Sequence, residues 1–323
     1  MIRNCILCRS DKYYDVYTYT FEFLTKVRRT SEEYLRRIGW DEATTQTIVK
    51  CRSCGCHYVR DVVQPSPKGD IVFNSDTEQR EYISRVAREN EDVRFARSNF
   101  SRLDEVNWTV RLLLKLASAT QSDDLKFLDY GAGGAEACST ARSYGLRTVV
   151  AYDPFYTNLT PHELALSNFN GIHYVRERAK LPSFGPFDAV FFQAAVEHVL
   201  DPKDELENIY QLCRSGSVMY VNNPFMDIQN ELSDLLGAQE IRKSDRISHY
   251  HEDHLNYMTP TQFAQLLRDV GFEITRFVHY PPEFLVQGSV KAYLKRNLKV
   301  AVRSAQNVLS LPYTRYFFVV RKP

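Results

Sequence analysis

The chain has 323 residues, a length that accommodates two domains. Its 41 basic and 40 acidic residues leave a formal net charge of +1, so no global field draws it to nucleic acid. The 44% hydrophobic share is that of an ordinary globular protein; no apolar run reaches membrane-spanning length, and neither an internal repeat nor a low-complexity tract interrupts the chain.

The N-terminal part is organised by cysteines. Cys5-x-x-Cys8 and Cys51-x-x-Cys54-Gly55 are two knuckles of the kind that clamp one tetrahedral zinc ion through four thiolates, with Gly55 permitting the tight turn after the second pair. The stretch between them, residues 9–50, is long enough to need its own hairpin or helix, and Ser31 to Ile38 reads as helical. Cys56 is an extra thiol, a bystander or a substitute for one ligand. A disulfide framework is the alternative. No signal-peptide pattern precedes Cys5, which favours a reducing, cytoplasmic setting and hence the metal. Four thiolates leave no open position for a reacting water, so such a zinc is structural. Gln64-Pro65-Ser66-Pro67-Lys68-Gly69 then punctuates the chain and closes a module over residues 1–69. Helices rich in Arg and Glu are expected from Thr77 to Ala117, within a helical linker over 70–120.

From Phe127 to Asp153 the pattern changes to an apolar strand ending in Asp129, a turn Gly131-Ala132-Gly133-Gly134, a helical segment, and a second apolar strand, Thr148 to Tyr152, closed by Asp153. Glycines let the backbone approach a ligand closely, and an acid about 20 residues past the turn is placed to accept hydrogen bonds from both hydroxyls of a ribose. The order D-x-G-x-G-G-A differs from a dinucleotide-binding G-x-G-x-x-G. It resembles motif I of class I S-adenosylmethionine methyltransferases, D/E-x-G-x-G-x-G, with Ala135 where the last glycine would stand. An acid at Asp129 suits the amino group of that cofactor, where it would repel a pyrophosphate.

The resemblance continues to the C-terminus and covers residues 120–323. Glu177 precedes Leu181-Pro182, and Phe187 to Phe192 reads as a buried parallel strand. Gln193 to Pro202 looks like the family's EVLEHVxDP segment. Ser217 to Asn223 is a strand, His254 to Phe272 resembles its HxxxFTxxxLxxLLxxxGF stretch, and Thr314 to Lys322 fits a closing strand. The implied architecture is α/β, a Rossmann-like seven-stranded class I methyltransferase domain over residues 121–323, preceded by a small zinc-ribbon-like module. The implied cofactor residues are Asp129, Gly131 and Gly133 for the methionine end and Asp153 for the ribose. Pro154, Phe155 and Glu177 fall on the adenine side, and Gln193 stands beside them at the next strand end. Tyr82, in the preceding helices, is a lid contact or an ordinary interfacial tyrosine. Cysteine knuckles ahead of such a domain are similar to those of bacterial sugar and polysaccharide-pathway methyltransferases. The sugar C-methyltransferases among them carry a further C-terminal α/β domain; here about 40 residues follow Tyr280, which favours O-methylation of a small-molecule or glycan acceptor. Ribosomal-RNA guanine methyltransferases match less well, in ligand type and spacing.

A sugar hydroxyl is a poor nucleophile and needs a base within hydrogen-bond reach, a task suited to histidine near neutral pH. His198 follows the fourth strand, on the edge where open α/β sheets bind ligands, and His254 follows the polar run Ser248 to Asp253; these two and His251 are the candidates. For His198 the alternative is packing against the next helix, and for His254 a structural hydrogen bond. The run HYHEDH also admits a catalytic metal, although its spacing is not a recognised ligand pattern. Asn222 and Asn223 could bind acceptor hydroxyls or end their strand, and Cys138 and Cys213 read as apolar fillers in helices. Residues 283–311, within a helical insertion over 283–312, form a basic amphipathic segment: Lys291, Lys295, Arg296, Lys299 and Arg303 beside Val290, Leu294, Leu298, Val302 and Leu309. Packing on its own protein, a dimer contact and peripheral membrane contact are its three readings. The remaining functional alternatives are RNA base methylation and a cofactor-binding partner protein without turnover.

Overall fold

The computed structural model describes residues 3–26, 32–37, 40–62, 100–118, 124–133, 135–154, 171–223, 254–279 and 316–323. The linker 64–69, Tyr82, Phe155, His251 and the insertion 283–312 lie outside the described residues. The chain divides into two compact units. One takes residues 1–74, 195–208 and 224–270; the other takes 75–194, 209–223 and 271–323.

The first unit is built on a four-stranded antiparallel sheet. Strand β1 (Tyr13–Thr20) pairs with β2 (Thr45–Cys51), β2 with β3 (His57–Val59), and β3 with the short β9 (Asn256–Tyr257). Between β1 and β2 the chain forms α1 (Phe21–Lys26) and α2 (Glu32–Arg37), so the segment separating the cysteine pairs holds β1, most of β2 and, among its described residues, two short helices. Its core gathers Tyr19, Phe21, Leu24, Leu35, Trp40, Ile48, Val59 and Tyr257. Helix α6 (Pro260–Val270) shows how local sequence defines a start. The N–H of Thr259 donates to Gln262 Oε1 at 3.0 Å, and the N–H of Gln262 donates to Thr259 Oγ1 at 3.2 Å, a reciprocal cap with proline at the first helical position. Phe263, Ala264, Leu266 and Leu267 then bury one face at helical spacing.

The second unit is a seven-stranded sheet in the order β10-β11-β8-β7-β4-β5-β6. Its strands are β4 (Lys126–Tyr130), β5 (Thr148–Tyr152), β6 (Ile172–Val175), β7 (Phe187–Gln193), β8 (Cys213–Asn223), β10 (Glu273–His279) and β11 (Tyr316–Arg321). Strands β6, β5, β4, β7 and β8 run parallel, and β11 lies antiparallel to both β8 and β10. Parallel strands covered on both faces read as continuous apolar runs, and the first six residues of β7 are all buried. Helix α3 (Phe100–Ser118) buries Val106, Val110, Leu113 and Ala117 in one core with Phe127, Val149, Ala189 and Val218. At the start of β7 the buried Asp188 accepts the N–H of Lys126 at 2.8 Å and pairs with Arg214 at 3.1 Å, tying β4 to β7.

One expectation is corrected. Cys138 lies in helix α4 (Glu136–Ser143), but Cys213 opens β8 instead of sitting in a helix. Helix α5 (Pro202–Leu212) stops one residue earlier, where the Lys322 ammonium donates to the carbonyls of Tyr210 at 2.9 Å and Cys213 at 2.8 Å. A cation on the last free carbonyls satisfies them and favours the end of the helix dipole. Among the described residues no helix is long and apolar enough to cross a membrane.

Candidate functional site

In the second unit the ends of three adjacent parallel strands are laced together. The N–H groups of Gly131 and Ala132 both donate to the carbonyl of Tyr152, at 2.8 and 2.9 Å, and the N–H of Asp153 donates to that of Val175 at 3.1 Å. Asp153 Oδ2 in turn accepts the N–H of Gly133 at 2.9 Å, so the acid closing β5 steadies the turn that follows β4. Gly131, Gly133 and Ala135 all have positive φ, at 79°, 45° and 56°. At Gly133 a Cβ would meet nothing within 4 Å, leaving open the space a ligand needs beside the backbone. Ala135 holds a left-handed conformation with its methyl buried; an L-residue is held there at a cost of about 1–2 kcal/mol. The family's last glycine is therefore replaced at a position where the backbone still adopts a glycine-like shape.

A substitution separates conformational cost from ligand clearance. Gly133→Ala should cost about 1–2 kcal/mol of stability through backbone strain alone. It should also weaken S-adenosylhomocysteine by about tenfold or more, a further ~1.4 kcal/mol. Thermal denaturation and calorimetric titration measure the two separately, and unchanged affinity would show that no ligand approaches this turn.

Asp129 points inward from β4 and is 3% exposed. Its carboxylate accepts the backbone N–H of Cys138, and the Cys138 thiol lies 3.9 Å from Oδ2. Cys138 stands in the first turn of α4, where N–H groups lack helical partners. Burial pushes the Asp129 carboxyl well above its usual range, and the charges of Asp153 and Glu136 push it further. This end of the site is rich in negative charge, a setting suited to an ammonium group. Because the folded pKa is raised, the stability gained from the protonated acid is complete below the ordinary carboxylate range and is lost as pH rises through the raised value. Asp129→Asn, neutral throughout, should melt above the parent at about pH 8 and close to it at about pH 4. A higher melting temperature for the parent at the upper pH would refute the raised pKa.

The other cofactor candidates of this edge are placed separately. Pro154 follows Asp153 and is exposed, and Gln193 ends β7, half-buried and in register with Asn222. Glu177 precedes the 3-10 helix Arg178–Ser183, and its carboxylate accepts from Lys180 Nζ at 2.6 Å in an exposed pair.

In the first unit the four predicted ligands converge. The sulfurs of Cys5, Cys8, Cys51 and Cys54 all lie within 4.8 Å of one another, with Cys5 and Cys54 at 3.4 Å and Cys8 and Cys51 at 3.5 Å. These separations are too long for disulfides and close to the spacing of about 3.8 Å that four sulfurs take around one zinc. The knuckles are alike in backbone. Arg9 N–H returns to the Cys5 carbonyl at 2.9 Å and Gly55 N–H to that of Cys51 at 3.0 Å, each from a residue with positive φ. The Ser53 N–H also points at Cys51 Sγ at 3.4 Å. Cys56, wholly buried, is not one of the four converging sulfurs, but its thiol hydrogen-bonds that of Cys5 and lies 3.6 Å from the His57 carbonyl. Gln262 Nε2 donates to the Cys54 carbonyl at 2.9 Å, linking the second knuckle to α6.

The same unit brings His198 and His254 together, their ring centroids 4.8 Å apart at 85°. Glu197, which motif reading left without a role, joins them: its side chain is 2% exposed, and Oε1 lies 3.8 Å from His198 Nε2. Two other residues that sequence reading passed over hold this arrangement. The Asn256 amide donates to the carbonyls of Val196, Glu197 and Val199, and its Oδ1 accepts from Arg3 at 2.7 Å. Arg3 also donates to the carbonyls of Val59, Leu200 and Leu255. The N–H groups of Leu255 and Asn256 close the set on the Glu197 carbonyl, at 2.7 and 3.1 Å.

The parallel sheet, the glycine turn after β4 and the acid after β5 are the features of a class I S-adenosylmethionine-dependent methyltransferase. A methyltransferase-domain family model matches residues 101–276, more than half of the chain, and the protein belongs to that family. No curated protein matches the sequence. Among solved structures the chain is similar to the magnesium protoporphyrin IX methyltransferase of Synechocystis with bound S-adenosylhomocysteine: 11% identity over 77% of this chain and 100% of that one, TM-score 0.42. It is also similar to the 1,6-didemethyltoxoflavin-N1-methyltransferase of Burkholderia thailandensis, at 14% identity over 84% and 97%, TM-score 0.42. A third similar structure is an S-adenosylmethionine-dependent methyltransferase of Mesorhizobium loti, at 16% identity over 68% and 99%, TM-score 0.41.

Proposed function

We propose that the protein transfers the methyl of S-adenosylmethionine to a hydroxyl of a sugar, in a nucleotide-sugar or surface-polysaccharide intermediate, in a cytoplasmic setting. The observation that carries the reading is the joining of a four-cysteine cluster to this methyltransferase domain in one near-neutral chain. RNA, the alternative acceptor, calls for a basic face that the composition does not show.

Bound at the sheet edge, the cofactor supplies a methyl group on a sulfonium. Asp129 would face its amino group, Gly131 and Gly133 would let it approach the backbone, and Asp153 would accept the ribose hydroxyls. Pro154, Phe155 and Glu177 would border the adenine, with Gln193 at the neighbouring strand end. Holding acceptor and donor in line supplies much of the rate of such a displacement. His198 or His254 would take the hydroxyl proton as the oxygen becomes bonded to carbon. Cys5, Cys8, Cys51 and Cys54 would hold a structural zinc that closes the N-terminal module.

The test has two parts. Calorimetric titration of the zinc-replete protein with S-adenosylhomocysteine should give saturable one-to-one binding. Methyl-labelled cofactor should then label one member of a panel of nucleoside-diphosphate sugars. Binding without labelling of any sugar would overturn the acceptor assignment and leave the domain as a cofactor-binding partner or an enzyme of another substrate class.

A further inference from the structure

Beyond the four-cysteine cluster, the first unit contains a second group of metal-type donors. We infer that Glu197, His198 and His254 form a binding site for a divalent first-row transition-metal ion. One ligand atom from each of the three residues lies within 4.8 Å of the others. The donor set is two imidazoles and one carboxylate, which suits ions such as manganese, iron, cobalt or zinc and leaves coordination positions open. Donors bonded to one such ion stand about 3–3.4 Å apart, so side-chain adjustment of an ångström or so completes the set.

Three properties point to a built site. The carboxylate is buried while the imidazoles are partly exposed, so an ion would enter from the histidine side and meet a charge already out of water. A carboxylate held out of water is favoured by a cation beside it, which a metal ion at this position supplies. The backbone that carries the ligands is pinned from two distant parts of the sequence. Asn256 bonds the carbonyls of the turn carrying Glu197 and His198, and Arg3 bonds Asn256 together with the carbonyls of Leu200 and Leu255. Arg3 and Asn256 are thus positioning residues for the three ligands.

The experiment titrates manganese(II) into the full chain after loading with one equivalent of zinc. The free-ion electron paramagnetic resonance signal is followed. Manganese binds N/O/S sites more weakly than zinc, so it leaves the thiolates loaded. One further equivalent should bind, and His198→Ala and His254→Ala should each weaken it by at least ~10-fold. His173→Ala, in β6, should leave it unchanged. Circular dichroism checks each variant. If one fails to fold, imidazole nitrogen couplings in the pulsed spectrum of the manganese-loaded parent provide the same information. Absence of binding beyond zinc, absence of those couplings, or binding that survives in the folded double histidine variant would each overturn the proposal. None of these readouts requires cofactor or acceptor, so a wrong substrate assignment cannot mimic its failure.

Discussion

Asp153→Ala is expected to weaken S-adenosylhomocysteine roughly 100-fold while the protein stays folded. Hydrogen bonds to a charged group contribute about 1.5–3 kcal/mol each, and losing two ribose hydroxyl contacts removes about 3 kcal/mol. The fold should tolerate the change because Asp153 is only partly buried, although its carboxylate also accepts the Gly133 N–H. Asp153→Asn keeps an acceptor without the charge and should fall between the two. Calorimetric titration beside a thermal melt reads both quantities. Full affinity in the alanine variant would place the ribose away from the end of β5.

The largest stability effect is expected at Asn256. The side chain is wholly buried and makes four hydrogen bonds, three donated to the turn Val196–Val199 and one accepted from Arg3. Asn256→Ala strands the Val196 and Val199 carbonyls and one guanidinium N–H, while the Glu197 carbonyl keeps the N–H groups of Leu255 and Asn256. Each unsatisfied buried group costs about 1–3 kcal/mol, so a loss of about 3–5 kcal/mol is expected after partial relaxation. Burial lowers the Arg3 guanidinium to about 10, which leaves it charged at neutral pH and makes its abandonment costly. Because Arg3 and Asn256 share a bond, the double variant Arg3→Ala/Asn256→Ala should cost less than the two singles added. Denaturant unfolding of all four proteins gives the cycle, and strict additivity would remove the coupling.

Much of the second unit is legible because its information is local. Phe127 to Asp153 spells strand, turn, helix, strand and acid within one stretch, and each step follows from an apolar run, a glycine or a helix-forming segment. The knuckles are legible for the same reason, since each cysteine pair belongs to a single turn. Other features resisted reading. Cys213 looked helical until Lys322, more than a hundred residues later, ended α5 before it. Ala135 gave no sign that it would hold a left-handed backbone in place of glycine. Glu197 was visible only as the residue before a candidate histidine, because its burial and its approach to His254 depend on a segment more than fifty residues away.

Sequence alone therefore indicated the class of the protein, the strand, turn, helix and strand of residues 127–153, and the four cysteines that converge. All of these are written in short-range spacing, which backbone geometry converts directly into placement. Tertiary structure alone decided that β9 joins β3 and that Arg3 and Asn256 pin one turn. It also decided that Glu197, His198 and His254 share one small volume. Those juxtapositions arise when distant segments satisfy one another's buried polar groups, a requirement that no local pattern records.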